Sequence, residues 1–289
     1  MNSKKFCFIM CSNDTQYEQE CIKYINNLLI PEGYELDIKV IRDAASMTEG
    51  YNRGMNSSDA RYKIYLHHDT FIINKNFLTD LLRLFSNPAT GIIGVVGTPR
   101  LAKTCVMWLG ERVGKLISSC IYRTTNATIG DIDTPTNVEA IDGLLMATQY
   151  DIPWREDIFT GWDFYDVSQS FEFRKAGYNV IVPPMTTPWC FHDEGVIELS
   201  SYYKTRDIFM KEYKTLLFDI DGTLLDFKKA EDYAMHKTFS DHHLELTSEI
   251  FEIYEEINSK LWKDFELGLI DKKTVVYTRF VQLFQEFHI

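Results

Sequence analysis

The sequence predicts an α/β fold over most of its length, on three observations. Apolar strand segments alternate with amphipathic helix segments from residue 6 onward, the order that builds a parallel sheet covered by helices. The strand at 62–66 runs directly into His67, His68 and Asp69, so metal-capable side chains gather at a strand's carboxyl end, where open α/β sheets bind ligands. Composition agrees: 45% of the residues are apolar and 14% aromatic, enough for a real core. A separate pattern begins after residue 212, with a strand at 215–218 and then acidic helical segments. The 289 residues thus divide into a larger first domain, 1–212, and a mainly helical second segment, 213–289.

The elements follow in order. Residues 6–11 read as a buried strand, and Ser12, Asn13 and Asp14 as a polar turn after it. Residues 16–29 place Cys21, Ile25, Leu28 and Leu29 at helical spacing, and Pro31 with Gly33 ends that helix. Residues 35–41 alternate as a second strand closing on Arg42 and Asp43. A helix at 46–57 contains Asn52 and Gly54. After the third strand come an amphipathic helix at 74–86, stopped by Pro88, and a glycine-flanked strand at 91–97. Thr, Asn, Asp and Pro crowd 124–137, which predicts a mobile loop. A strand crosses 138–148 through Asp142 and Gly143, and a helix covers 162–175. A strand at 178–182 is stopped by Pro183 and Pro184. An apolar segment from Trp189 ends in polar residues at His192, and 198–213 reads as a helix.

The net charge is −12. Residues 1–212 and 213–289 each carry −6, so no basic face emerges and nucleic acid is disfavoured as the main partner. Cys7, Cys11, Cys21, Cys105, Cys120 and Cys190 form no Cys-x-x-Cys pair and read as reduced, mostly buried thiols. The apolar run at 6–10 is too short for a signal peptide. No run approaches the roughly 18 apolar residues of a spanning helix. The expectation is a cytoplasmic protein without a transmembrane segment, with peripheral membrane association left open.

His67, His68 and Asp69 suit a divalent cation that holds a phosphate group. Strand alternation points His68 away from its two neighbours. Asp163 lies at a helix's amino end between Trp162 and Phe164, where it reads either as an N-cap or as a functional carboxylate. Trp154, Trp162 and Trp189 read either as core or as stacking surfaces for a ligand.

Taken in order, the first strand and turn, Asp43, Asn52 and Gly54, the His67–Asp69 string, Asp142 with Gly143, Trp162 with Asp163, Arg174 to Tyr178, and His192 resemble glycosyltransferase family 2. These are inverting nucleotide-sugar transferases of the GT-A fold, and the likeness covers roughly residues 5–212. The resemblance implies a Rossmann-like, mostly parallel sheet flanked by helices. It implies Mn²⁺ or Mg²⁺ bridging Asp69, the donor diphosphate and His192, with His67 in place of the usual first aspartate. Imidazole suits Mn²⁺ better than Mg²⁺. Ser12, Asn13, Asp14, Asp43, Asn52, His67 and Asp69 become donor contacts, Asp163 the catalytic base, and Asp166 its reserve. The implied donor is a UDP-sugar by default. The acceptor is a saccharide, a lipid-linked saccharide or a protein.

Asp219, Asp221, Gly222, Thr223 and Asp226, after an apolar strand, resemble the first motif of the haloacid dehalogenase (HAD) superfamily. By that resemblance Asp219 is the phosphoryl nucleophile and Asp221 the general acid/base, and the following helices are the start of a cap. Only 70 residues follow Asp219, and the later Ser/Thr, Lys and acidic pair of that family find no place. One strand alone cannot bury both its faces. The segment therefore reads as an incomplete, inactive HAD-like piece. A phosphatase on Asp219 and Asp221 is one alternative for the chain, and a non-catalytic sugar-nucleotide binding or scaffold protein another.

Overall fold

β1 (Asn2–Cys11) is buried from Phe6 onward and pairs in parallel with β2 (Glu35–Ile41) on one side and β3 (Ala60–Leu66) on the other. α1 (Thr15–Asn26) starts at Asp14, whose carboxylate accepts from the backbone N–H groups of Gln16 and Tyr17. α2 (Met47–Asn56) starts at Ser46, which accepts from the Glu49 N–H. α2 approaches β1 closely because its inner positions are glycine: a Cβ on Gly54 would lie 2.3 Å from Ile9 Cγ2, and one on Gly50 2.4 Å from Cys11 Sγ.

The computed structural model describes residues 1–120, 123–195, 199–213 and 227–288. The chain separates into two units, Met1–Lys214 and Thr215–Ile289. The first unit continues with β4 (Thr70–Ile72), α3 (Phe77–Phe85), β5 (Thr90–Gly94), β6 (Val96–Thr98), β7 (Val113–Cys120) and β8 (Arg123–Gly130). Then come β9 (Thr136–Asn137), β10 (Ala140–Ile141), β11 (Leu145–Thr148), α4 (Tyr165–Lys175), β12 (Asn179–Val182), β13 (Cys190–Gly195) and α5 (Ser200–Glu212).

One sheet has the order β2-β1-β3-β11-β5-β12-β9. It is mixed rather than mostly parallel: β11 enters antiparallel between β3 and β5, and β9 closes the edge antiparallel to β12. A second sheet runs β10-β6-β7-β13-β4, with β8 paired to β7. The expected strand at 91–97 is two strands, one in each sheet, and the expected strand at 138–148 also splits, at Asp142 to Leu144. Much of the expected loop at 124–137 is instead β8, antiparallel to β7. Threonine favours strands, and a polar strand reads as a loop when composition alone is weighed. The helix expected from residue 162 starts at Tyr165. His192 lies within β13 rather than after it.

Phe6, Phe8, Ile9, Ile64, Leu66 and Ile92 belong to the main core. A second cluster joins Phe159, Phe164 and Val167 to Phe209 of α5. Cys7, Cys11, Cys21, Cys105 and Cys190 are free thiols, all but Cys105 buried. Among the described residues no helix is long and apolar enough to cross a membrane.

The second unit contains α6 (Phe227–Asp241), α7 (Ser248–Glu266) and α8 (Lys272–Phe287). Thr247 and Asp271 cap the last two. Met235, Phe239, Ile250, Tyr254 and Leu283 form their small core. The expected strand at 215–218 and the pair Asp219 and Asp221 lie outside the described residues.

Candidate metal and donor site

β3 stops at Leu66, and the chain then turns: the Thr70 N–H donates to the His67 carbonyl at 3.2 Å. Strand alternation therefore does not extend to His68. Contrary to the expectation, His68 faces the same cleft as His67 and Asp69, with Nδ1 3.1 Å from Ser12 Oγ.

Two other strands hold this turn. β11 pairs Leu145 with Leu66, and the His67 N–H donates to the Leu144 carbonyl at 3.1 Å. β13 pairs His192 with Thr70, and the Asp193 N–H donates to the Asp69 carbonyl at 3.1 Å. That register delivers His192 to Asp69. Asp69 Oδ1 lies 3.3 Å from His192 Nε2 and 3.9 Å from His67 Nδ1, and the two ring nitrogens are 3.5 Å apart. One carboxylate oxygen and two imidazole nitrogens thus converge as a set able to hold a metal ion. Asp69 Oδ1 is buried, and apart from the His192 imidazole at 3.3 Å no donor reaches it. A buried acceptor short of donors is costly, and a cation would satisfy it, so these residues fit a divalent ion.

The electrostatics agree. Burial alone would raise the Asp69 carboxyl, but the imidazoles of His192, His67 and His68 hold it below its ordinary range. Burial, and then His192, pushes His67 down to about 4. At neutral pH the site offers an ionised carboxylate and a neutral His67 imidazole, the protonation states a metal requires.

The cleft holds about 410 Å³. Ser12, Asn13, Arg42 and Met47 line it together with His67, His68, Asp69 and Trp162. Of the expected donor contacts, Ser12, Asn13, His67 and Asp69 therefore meet here. The other three do not line the cleft. Asp14 caps α1. Asp43 is exposed and accepts from Arg53 Nη2 at 2.8 Å, which holds its carboxyl below the ordinary range. Asn52 is buried and spends both ends of its amide on the Trp154 backbone, at 3.0 and 2.9 Å.

Asp163 is half-buried and accepts from Ser201 Oγ at 2.7 Å. It is not the helix cap. That position belongs to Phe164, whose φ of 61° is left-handed and whose side chain makes no capping bond. This backbone is strained for a non-glycine residue, and burial of the Phe164 ring in the second core cluster offsets it. Trp162, just before Asp163, is 52% exposed at the cleft, whereas Trp154 and Trp189 are core. Asp166 accepts from the Gly143 N–H at 3.0 Å and the Val167 N–H at 2.8 Å. Burial and then Asp142 push its carboxyl up to about 7.

Three residues at the site escaped the sequence reading. Arg42 is held in a two-pronged pair with buried Glu18, at 3.0 and 2.6 Å. The Tyr17 hydroxyl donates to Asp193 Oδ2 at 2.9 Å, and its ring stacks on His68. The Tyr165 hydroxyl bonds His67 Nε2. Arg42 adjoins the noted Asp43. Nothing in the sequence marks the two tyrosines, because both contacts depend on tertiary packing.

A family described as "Glycosyltransferase like family" matches residues 7–213. The chain is 45% identical over 78 residues to the putative HAD-hydrolase YfnB of Bacillus subtilis (strain 168), covering 27% of this chain and 33% of that protein. It is 44% identical over 75 residues to the pyrimidine 5′-nucleotidase PynA of Streptococcus pneumoniae (strain ATCC BAA-255 / R6), covering 26% and 32%. The chain thus spans about a third of the length of the curated relatives it matches. Similar solved structures include the mannosyltransferase PcManGT from Pyrobaculum calidifontis in complex with GDP-Man and Mn²⁺, at TM-score 0.47 and 12% identity over 76% of this chain and 66% of that one. Another is S. aureus TarS 1–349 in complex with UDP-GlcNAc, at TM-score 0.49 and 10% identity over 74% and 68%.

Proposed function

The chain belongs to the glycosyltransferase-like family over residues 7–213, and on that premise we propose that its first domain, 1–212, transfers a sugar from a nucleotide-diphosphate donor to a hydroxyl acceptor. The observation that carries this reading is the convergence of His67, Asp69 and His192, the first two of which line the cleft. Those three residues would hold a divalent ion, whose charge would supply neutralisation for a diphosphate leaving group. The donor set, with two imidazoles, favours Mn²⁺ over Mg²⁺.

The remaining work falls to the protein's own groups. Ser12, Asn13 and Arg42 line the cleft where the nucleotide lies, and Glu18 restrains the Arg42 fork. Asp163 takes the acceptor hydroxyl's proton as its oxygen attacks the anomeric carbon and the bond to the diphosphate oxygen breaks. Attack opposite the leaving group inverts the anomeric centre. Ser201 orients the Asp163 carboxylate. A UDP-sugar is the default donor, and the acceptor is a saccharide, a lipid-linked saccharide or a protein. In the second domain, 213–289, Asp219 and Asp221 correspond to a HAD nucleophile and acid/base, and the 78-residue likeness to YfnB supports that assignment.

A thermal-shift panel of UDP, GDP, CDP and dTDP, with and without Mn²⁺, tests the reading on the wild type and Asp69→Ala. At 100 times its dissociation constant a ligand adds about 2.7 kcal/mol. The expected result is a Mn²⁺-dependent shift with one nucleotide that Asp69→Ala abolishes. No shift with any nucleotide overturns the donor site and leaves a scaffold.

A further inference from the structure

The inference rests on the metal reading above. A histidine that replaces an aspartate as metal ligand brings a requirement the aspartate lacks: its second ring nitrogen must be told whether to carry the proton. At His67 that nitrogen is Nε2, and its partner is the Tyr165 hydroxyl. The other nitrogen, Nδ1, faces Asp69 Oδ1 and His192 Nε2 at 3.9 and 3.5 Å.

We propose that Tyr165 is a positioning residue that accepts the Nε2–H of His67, fixing the tautomer whose Nδ1 lone pair is aimed at Asp69 and His192. Three features hold the tyrosine to that task. Its ring is buried, edge-on to Tyr51 at 5.8 Å and 6.1 Å from Trp154. Its hydroxyl lies over Gly143, where a Cβ would stand 2.1 Å from the oxygen and 2.5 Å from Cζ. The glycine is thus required by the close approach of the ring rather than by turn geometry. Finally, Asp166, the next residue of α4, accepts the Gly143 N–H, while the Leu144 carbonyl accepts the His67 N–H. The start of α4, the Asp142 to Leu144 turn and His67 therefore form a closed circuit of contacts, and the ring angle of His67 is set from both its backbone and its far nitrogen.

Loss of such an outer partner typically weakens metal affinity by about 10–100-fold. The test is titration of the full chain with Mn²⁺ alone, read as the free-ion electron paramagnetic resonance signal. Tyr165→Phe keeps the ring and removes the oxygen, and is expected to weaken binding by about 10–100-fold with its metal-free melting curve retained. Gly143→Ala displaces the hydroxyl and weakens binding in the same direction. Tyr51→Phe is the packing control: that buried hydroxyl has no hydrogen-bond partner, and its removal leaves Mn²⁺ affinity unchanged. Tyr165→Phe binding within about twofold of wild type overturns the role of Tyr165 and leaves the metal site standing. A wild type that binds no Mn²⁺ overturns the site itself and the inference with it. A readout independent of the variants is the ¹⁵N spectrum of wild-type His67 in the metal-free protein. The Nε2–H tautomer is expected, and the Nδ1–H tautomer overturns the proposal.

Discussion

The two units of this chain reach their cores by opposite routes. In the first, residues far apart in sequence meet because sheet register forces them together. β13 lies beside β4 with His192 opposite Thr70, and the metal-capable triangle closes only through that pairing. In the second, Met235 and Phe239 of α6 meet Ile250 and Tyr254 of α7 and Leu283 of α8, all from consecutive helices. Tyr277 and Val281 of α8 remain 66% and 52% exposed. The contrast reverses what the sequence makes conspicuous. The HAD-like string is contiguous and easy to read, yet a string is only one part of a site. The transferase signals are scattered and weak singly, yet topology gathers several of them at one cleft.

The largest expected effect breaks the comparison at its strongest point. Asp163→Asn is expected to lower transfer by about 10²–10⁴-fold, the usual worth of a positioned base, while the Mn²⁺-dependent nucleotide shift is retained. Near wild-type turnover removes Asp163 from the mechanism and leaves the first unit with a binding site but no base.

Asp166 gives a second handle. Burial and then Asp142 push its folded carboxyl up to about 7, above its ordinary value of 3.8. Between those two values the folded state holds a proton that the unfolded chain has released, so stability falls as pH rises through this window. The Asp166 contribution is thus fully present below about pH 4 and is lost by passage through about pH 7. Asp166→Asn is expected to flatten that decline, because the amide oxygen still accepts the Gly143 N–H without a charge to bury. An unchanged slope in melts from pH 4 to 8 shows that folding does not raise the Asp166 carboxyl.

Legibility follows the range of the interaction. The strand at 35–41 and the helix at 46–57 are readable because alternation and helical spacing are local. The metal-capable character of His67 and Asp69 is readable from their side chains at a strand's end, the addition of His192 comes from the family resemblance, and the structure brings the three together. The direction of His68 was misread because a hydrogen-bonded turn, not a strand, follows Leu66. The mixed sheet was missed because periodicity locates β11 without telling which strands it enters between. Asn52 looked like a donor contact and instead holds the Trp154 backbone, a choice made by a partner 102 residues away.

Two glycines sharpen the contrast at smaller scale. Gly54→Ala forces a methyl group against Ile9 and is expected to cost about 1–3 kcal/mol, the usual penalty of overpacking. Gly268 has open space around it and a φ of 71°, so Gly268→Ala costs about 1–2 kcal/mol through backbone conformation alone. In a calorimetric scan the first substitution moves the transition of the first unit and the second that of the helical unit. If both shift a single common transition, the two units unfold as one.

The smallest expected effect is none, and it tests whether the conspicuous string does chemistry. The 289-residue chain spans about a third of its HAD-like relatives. Asp219 is the phosphoryl nucleophile only by resemblance, and it lies outside the described residues. At that coverage the 289 residues are expected to release no phosphate from p-nitrophenyl phosphate with Mg²⁺, and Asp219→Asn to change neither that result nor sugar transfer. Phosphate release that disappears in Asp219→Asn gives the second unit an activity of its own. The contrast between an assembled site and a bare motif would then no longer hold.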